Sequence, residues 1–168
     1  MKWLKILSIV PILIIITSII LIFAASFSGA DIPNGVRLIS LILSSLLYIC
    51  LFYLGIVAKK KFFKITSLAV MIYALILGLY PMIILKLHFY AVIISSILYI
   101  LFGLSFFELK EISSAKIIGT LIIISGFLSL IGIAFLSIYM GYLSILASLI
   151  TLIFETILFI QASNRFER

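Results

Sequence analysis

The sequence predicts an all-α fold, a polytopic transmembrane helix bundle of six spans with both termini in the cytoplasm. Three observations predict it. The 168-residue chain is 66% hydrophobic and only 10% charged. Its apolar residues fall into six stretches of membrane length. Ten of its twelve Lys and Arg residues lie at the two ends of the chain and on the second and fourth connections between those stretches. Soluble domains run nearer half apolar and about a quarter charged. With so few polar side chains, the outside of a soluble fold could not be covered, whereas lipid covers it. Each crossing needs roughly 20 apolar residues, so six spans and short turns take up residues 1–168 as a single transmembrane domain.

The first span runs over about 6–27. Lys2 and Lys5 flank it, with Trp3 between them as an interfacial anchor. The flanking lysines and the small residues Ser28, Gly29 and Ala30 also suit a cleaved signal peptide. The apolar stretch exceeds the usual h-region of about 7–15 residues, so a retained helix is expected. Gly29 to Gly35, with Asp31, Pro33 and Asn34, carries the turn chemistry of a real connection. The second span follows Arg37 over about 38–58 and ends at Lys59, Lys60, Lys61 and Lys64.

From Ile65 to Phe107 the one polar interruption is Lys86-Leu87-His88. A single helix of about 43 residues would be about 65 Å long, twice the thickness of the hydrocarbon core. The chain must turn, and the turn is expected at 86–88, giving spans over about 65–85 and 89–107. Glu108, Lys110, Glu111, Ser113, Ser114 and Lys116 form a polar connection. The same length limit divides the remaining apolar stretch near Tyr139-Met140-Gly141-Tyr142, giving spans over about 117–139 and 142–160.

Lys2, Lys5, Lys59, Lys60, Lys61, Lys64, Lys110, Lys116, Arg165 and Arg168 then fall on one side, and Arg37 and Lys86 on the other. Short loops follow the positive-inside bias, so the lysine-rich side and both termini are expected in the cytoplasm, the protein lying in the cell membrane.

Three hairpins show internal similarity. Residues 2–8 resemble 61–67, and Ser44-Ser45-Leu46-Leu47-Tyr48-Ile49 resembles Ser95-Ser96-Ile97-Leu98-Tyr99-Ile100, with Ala147-Ser148-Leu149-Ile150 a fainter third copy. Repeats of an even number of spans keep one orientation. An alphabet dominated by Ile, Leu and Ser also matches itself by chance.

Burial cannot drive helices together in lipid, whereas close approach through small residues can. Ser40, Ser44 and Tyr48 with Gly55 mark such a face on the second span. Ser67, Ala74, Gly78 and Pro81 mark one on the third, and Gly119, Gly126, Ser129, Ser137 and Gly141 one on the fifth. Pro11 and Pro81 fall inside spans, where each frees a carbonyl and can kink its helix.

The candidate intramembrane polar site is on the last span. Ser144, Ser148, Thr151 and Glu155 recur at i, i+4, i+7 and i+11, along one helix face. Glu155 is the carboxylate set deepest in any span, about 7–9 Å inside the cytoplasmic edge. An ionised carboxylate there is costly. Two readings stand: a proton- or cation-handling site on a hydroxyl-lined path, or a structural hydrogen bond to a neighbour such as Tyr53 or Tyr99. Lys86 and His88 read as polar residues of an outer turn. A lone histidine does not make a metal site, which needs three or four ligands.

Other classes are excluded by what the chain contains. No basic face with interleaved aromatics suits nucleic acid, despite a net charge of +7. Cys50 is the lone cysteine, so no intrachain disulfide is possible, and it reads as a packing residue. One histidine, one cysteine and five acids give no nucleophile–base pair, metal set or cofactor-binding motif.

The run Phe106-Phe107-Glu108-Leu109-Lys110-Glu111, leading through Lys116 and Gly119 into an apolar hairpin, resembles an uncharacterised archaeal family of small six-helix membrane proteins. The resemblance covers the C-terminal third and implies an architecture but no activity. The expected function is therefore a non-enzymatic accessory or scaffold unit acting through helix packing. Its partners would be the bilayer and either other membrane proteins or further copies of itself. The alternative is a small transporter or channel using Glu155 and the Ser/Thr face.

Overall fold

The fold is seen in a computed structural model that describes residues 3–28, 34–79, 81–134 and 138–166. Side chains are described over 3–20, 39, 41–76, 90–132, 143 and 145–166. All regular structure among these residues is helical: α1 (Trp3–Leu7), α2 (Ile9–Ser28), α3 (Asn34–Val57), α4 (Lys61–Leu79), α5 (Pro81–Ser105), α6 (Ser113–Ala134) and α7 (Ile138–Phe166), with a 3₁₀ turn at Phe106–Glu108. Four stretches among them are long and apolar enough to cross a membrane: Trp3–Ile20, Tyr90–Glu108, Ser113–Gly132 and Ile145–Phe166. Helices rich in β-branched Ile are poor by intrinsic propensity. In hydrocarbon the comparison changes, because only a helix satisfies its own backbone there. Hydroxyls obey the same constraint. Ser44 and Ser45 both bond the Leu41 carbonyl at 3.0 and 2.8 Å, and Ser95 and Ser96 both bond the Val92 carbonyl at 2.8 Å.

Prolines place two of the breaks. Pro11 has no N–H to offer the Leu7 carbonyl and its ring crowds that turn. The helix accordingly interrupts at Ser8, whose hydroxyl instead bonds the Lys5 carbonyl at 2.6 Å. Pro81 corrects the sequence reading. It is the first residue of α5 and not an interior one, and residues 86–88, expected to turn, lie within α5. Proline suits the first helical position and disfavours helix in the residue before it. That preference outweighs the polarity of Lys86 and His88. α6 ends at Ala134 and α7 begins at Ile138, so Tyr139 to Tyr142, expected to turn, belong to α7. Of the expected 29–35 connection, residues 29–33 lie outside the described residues, and Asn34 and Gly35 instead begin α3.

Helices α2 to α7 each pack on the next, and α2 packs on α7, so six helices close into a ring. The short α1 lies against α7 and α3 at one end. That end also holds the α3–α4 and α5–α6 connections and the C-terminal turn of α7. Glu108 accepts a hydrogen bond from the Phe63 amide at 3.0 Å, capping α4 from another helix. Gln161 accepts from the Ser114 amide and hydroxyl at 3.3 and 2.8 Å, capping α6. Lys60 pairs with Glu111 at 3.3 Å. Glu111's own backbone N–H, then Lys60, hold its carboxyl below the usual carboxylate range. This small contribution is present above that range and fades as pH falls through the lowered value. Lys5, Lys59, Lys60, Lys61, Lys64, Lys110, Lys116 and Arg165 thus share one end of the ring.

The polar connection does more than join spans. Every third residue of it, Phe106, Leu109, Ile112 and Ala115, is buried. Their backbones are linked in sequence, Leu109 to Phe106 and Ile112 to Leu109 at 3.0 Å each, and Ala115 to Ile112 at 3.2 Å. They join Leu4, Leu54, Phe63, Phe102, Leu158 and Phe159 in a tightly packed plug. Phe106 lies edge-on to Phe63 and Phe102, with centroids 4.8 and 5.0 Å apart.

Small residues set the spacing of α5 and α6. A Cβ on Gly119 would sit 2.7 Å from the Gly103 carbonyl oxygen, and one on Gly103 would sit 2.8 Å from that of Gly119. Gly126 lies as closely against Ile100 and Ser96. The expected face on the fifth span is thus realised at Gly119 and Gly126, with Gly103 as an unforeseen partner. The rigid backbone opposite cannot move aside, so Gly119→Val is expected to cost about 1–3 kcal/mol. Reversible unfolding in mixed micelles checks this, and a neutral result would mean that α5 and α6 are further apart.

Candidate functional site

A cleft with about 170 Å³ of space opens between α2, α3, α5, α6 and α7; Glu155, Thr151 and Tyr48 are buried in it, whereas Tyr99 and Ser148 are exposed at its rim. Its polar lining is Glu155, Thr151 and Ser148 of α7, Ser125 of α6, Ser44 and Tyr48 of α3, and Tyr99 of α5. Leu47, Phe102, Ile122, Ile14 and Leu152 supply apolar walls. Three of the four residues aligned on the last span, Ser148, Thr151 and Glu155, therefore meet in one space. Ser144 lies outside the described side chains, as do Lys86 and His88.

Glu155 is 4% exposed, and its Oε2 is buried with no hydrogen-bond partner among the described residues. The hydroxyls around it are committed elsewhere. Tyr48 and Tyr99 bond each other at 2.9 Å. Thr151 donates to the Ala147 carbonyl at 2.8 Å. Ser125 and Ser148 lie 3.3 Å apart. The structural alternative for Glu155 named Tyr53 or Tyr99. Tyr99 lines the cavity, whereas Tyr53 faces a separate outer groove beside Trp3 and Leu7. No group of three or more His, Cys, Asp or Glu residues that could hold a metal occurs among the described residues.

The cavity has a direction. Toward the lysine-rich end, Leu158 and Phe159 follow Glu155 on α7, Leu51 and Leu54 follow Tyr48 on α3, and Phe106 of the 3₁₀ turn follows Phe102 of α5. All of these are fully buried. The polar lining continues the other way, through Ser148, Ser125 and Ser44.

Ser44, Tyr48 and Ser125 were not among the residues singled out as a site; the first two were read as a packing face. A signal for Tyr48 alone was present in the internal similarity. Tyr48, Tyr99 and Thr151 occupy equivalent positions of the three copies, 51 and 52 residues apart, and all three line the one cavity. In the copies at 2–8 and 61–67, Leu4 matches Phe63 and Ser8 matches Ser67, and all four are buried.

No protein-family model matches this chain, nor does any curated protein or solved structure. The site is therefore interpreted from its own geometry.

An unpaired buried carboxylate costs stability, about 1–3 kcal/mol for the lost partner alone. Glu155→Leu is therefore expected to stabilise the protein by about that amount in micelle unfolding. Tyr99→Phe should cost about 0.6 kcal/mol, and at most about 2. Loss of stability on Glu155→Leu would show that a partner already holds the carboxylate.

Proposed function

We propose that the chain is a six-span, non-enzymatic protein of the cell membrane that binds a small cation or a proton at Glu155 and carries it across the bilayer. In this reading the lysine-rich end and both termini lie in the cytoplasm. The positive-inside bias supports that orientation, since Arg37 and Lys86, both near the start of a helix, stand against ten basic residues on the termini and on the 58–64 and 108–116 segments. The resemblance to archaeal six-helix membrane proteins suits the same architecture.

The observation that carries the proposal is Glu155 Oε2, buried, without a hydrogen-bond partner among the described residues and lining the cleft between the helices. Ionisable groups inside membrane bundles characteristically mark ion or proton pathways. A purely structural glutamate would have acquired a donor, and the nearby hydroxyls bond to one another or to their own backbone instead. The aromatic plug at the lysine-rich end then serves as a closed gate that has to part for release.

The accessory reading has no observation of its own in its favour, since the small residues pack helices within the ring, as expected of bundle contacts. Gly119 and Gly126 are occupied by Gly103, Ile100 and Ser96. It becomes the explanation if Glu155 proves irrelevant to flux.

The test is cation and proton flux in proteoliposomes. Glu155→Gln is expected to abolish flux while the protein keeps its fold and its elution profile. Undiminished flux, or a change only in stability or in recovery of a partner, contradicts the proposal.

A further inference from the structure

The hydrogen-bond arrangement narrows the ligand. We propose that the Glu155 cavity takes a small primary ammonium compound with a hydrocarbon body; this rests on reading the cavity as a cation site.

The polar lining is biased toward acceptors. Thr151 has spent its hydrogen on the Ala147 carbonyl, leaving its oxygen lone pairs to the cavity. Tyr48 and Tyr99 use one of their two hydrogens on each other. Glu155 Oε2 accepts from nothing described. A ligand that fits must donate, and an ammonium group offers three donors and no acceptor. Its single positive charge matches the single carboxylate.

An inorganic cation fits less well. It needs several oxygen ligands in place of its water. Here α7 is continuous through Glu155, so its carbonyls are engaged in the helix. The remaining walls favour an organic body. Tyr48, Tyr99 and Phe102 contribute aromatic rings to the lining, and such rings pack hydrocarbon and attract cations. The cavity's volume of about 170 Å³ is near that of an engineered apolar cavity that admits benzene.

The experiment titrates the full-length protein, in nanodiscs of zwitterionic lipid, with benzylammonium, its uncharged isostere benzyl alcohol, and K⁺, read by calorimetry. Benzylammonium is expected to bind saturably and at least about tenfold tighter than the alcohol. Glu155→Gln should remove that preference, and equimolar K⁺ should not compete. Equal binding of alcohol and ammonium overturns the proposal. Displacement by equimolar K⁺ also overturns it, while leaving cation transport standing. Selective ammonium binding without flux of any cation would instead uphold the ligand class and remove the transport reading. If Glu155→Gln does not fold, the comparison of the two isosteres on the unmodified protein decides.

Discussion

The packing of α2 against α7 is the contact on which the rest depends. Without it, six helices would form an open layer whose two faces both met lipid. With it, the layer closes and acquires an interior. That interior gives Glu155 a place away from hydrocarbon and brings hydroxyls from four helices to one space. In lipid the closure cannot come from the hydrophobic effect. Elsewhere in the ring shape supplies the contact, through glycines that let α5 and α6 touch backbone to backbone and through the interlocked rings of Phe63, Phe102 and Phe106.

The two ends of the cavity differ in kind. The lysine-rich end is sealed by α1, the 106–112 connection and the C-terminal turn of α7, with Glu108 and Gln161 capping helices across the chain. Here the buried Ser8, Thr66, Ser105 and Ser114 have hydrogen-bond partners, and Leu4, Phe63, Phe106, Leu109 and Phe159 are fully buried. Beyond that seal the lining turns polar and the packing leaves space. Stability is thus concentrated at one end, and the unsatisfied group sits just inside the boundary. Proteins tolerate such a local deficit chiefly where function uses it.

Much of the helical architecture was legible in the sequence, because spacing in lipid is set by length and polarity. The signals that failed are instructive. Lys86 and His88 looked like a turn by polarity, yet α5 runs through them and Pro81 begins the helix. Backbone chemistry outranked side-chain charge. The 106–112 connection looked like a polar loop, yet its buried residues recur every third position, a 3₁₀ period that helix and strand templates overlook. On α7 the alignment of Ser148, Thr151 and Glu155 was plain from a 3.6-residue period. Tyr48, Ser44 and Ser125 belong to other helices, and periodicity along one helix cannot say which faces meet. The equivalence of Tyr48, Tyr99 and Thr151 in the repeats was the one clue that crossed between helices.

Ring closure can be tested directly by bridging cysteines. Ile14 of α2 and Leu152 of α7 line the same cavity from opposite ends of the sequence. In a Cys50→Ala background, Ile14→Cys and Leu152→Cys together should be joined within one chain by a short bifunctional thiol reagent, in native membranes. Absence of the bridge, or bridging only between separate chains, would contradict a closed ring and with it the enclosed carboxylate.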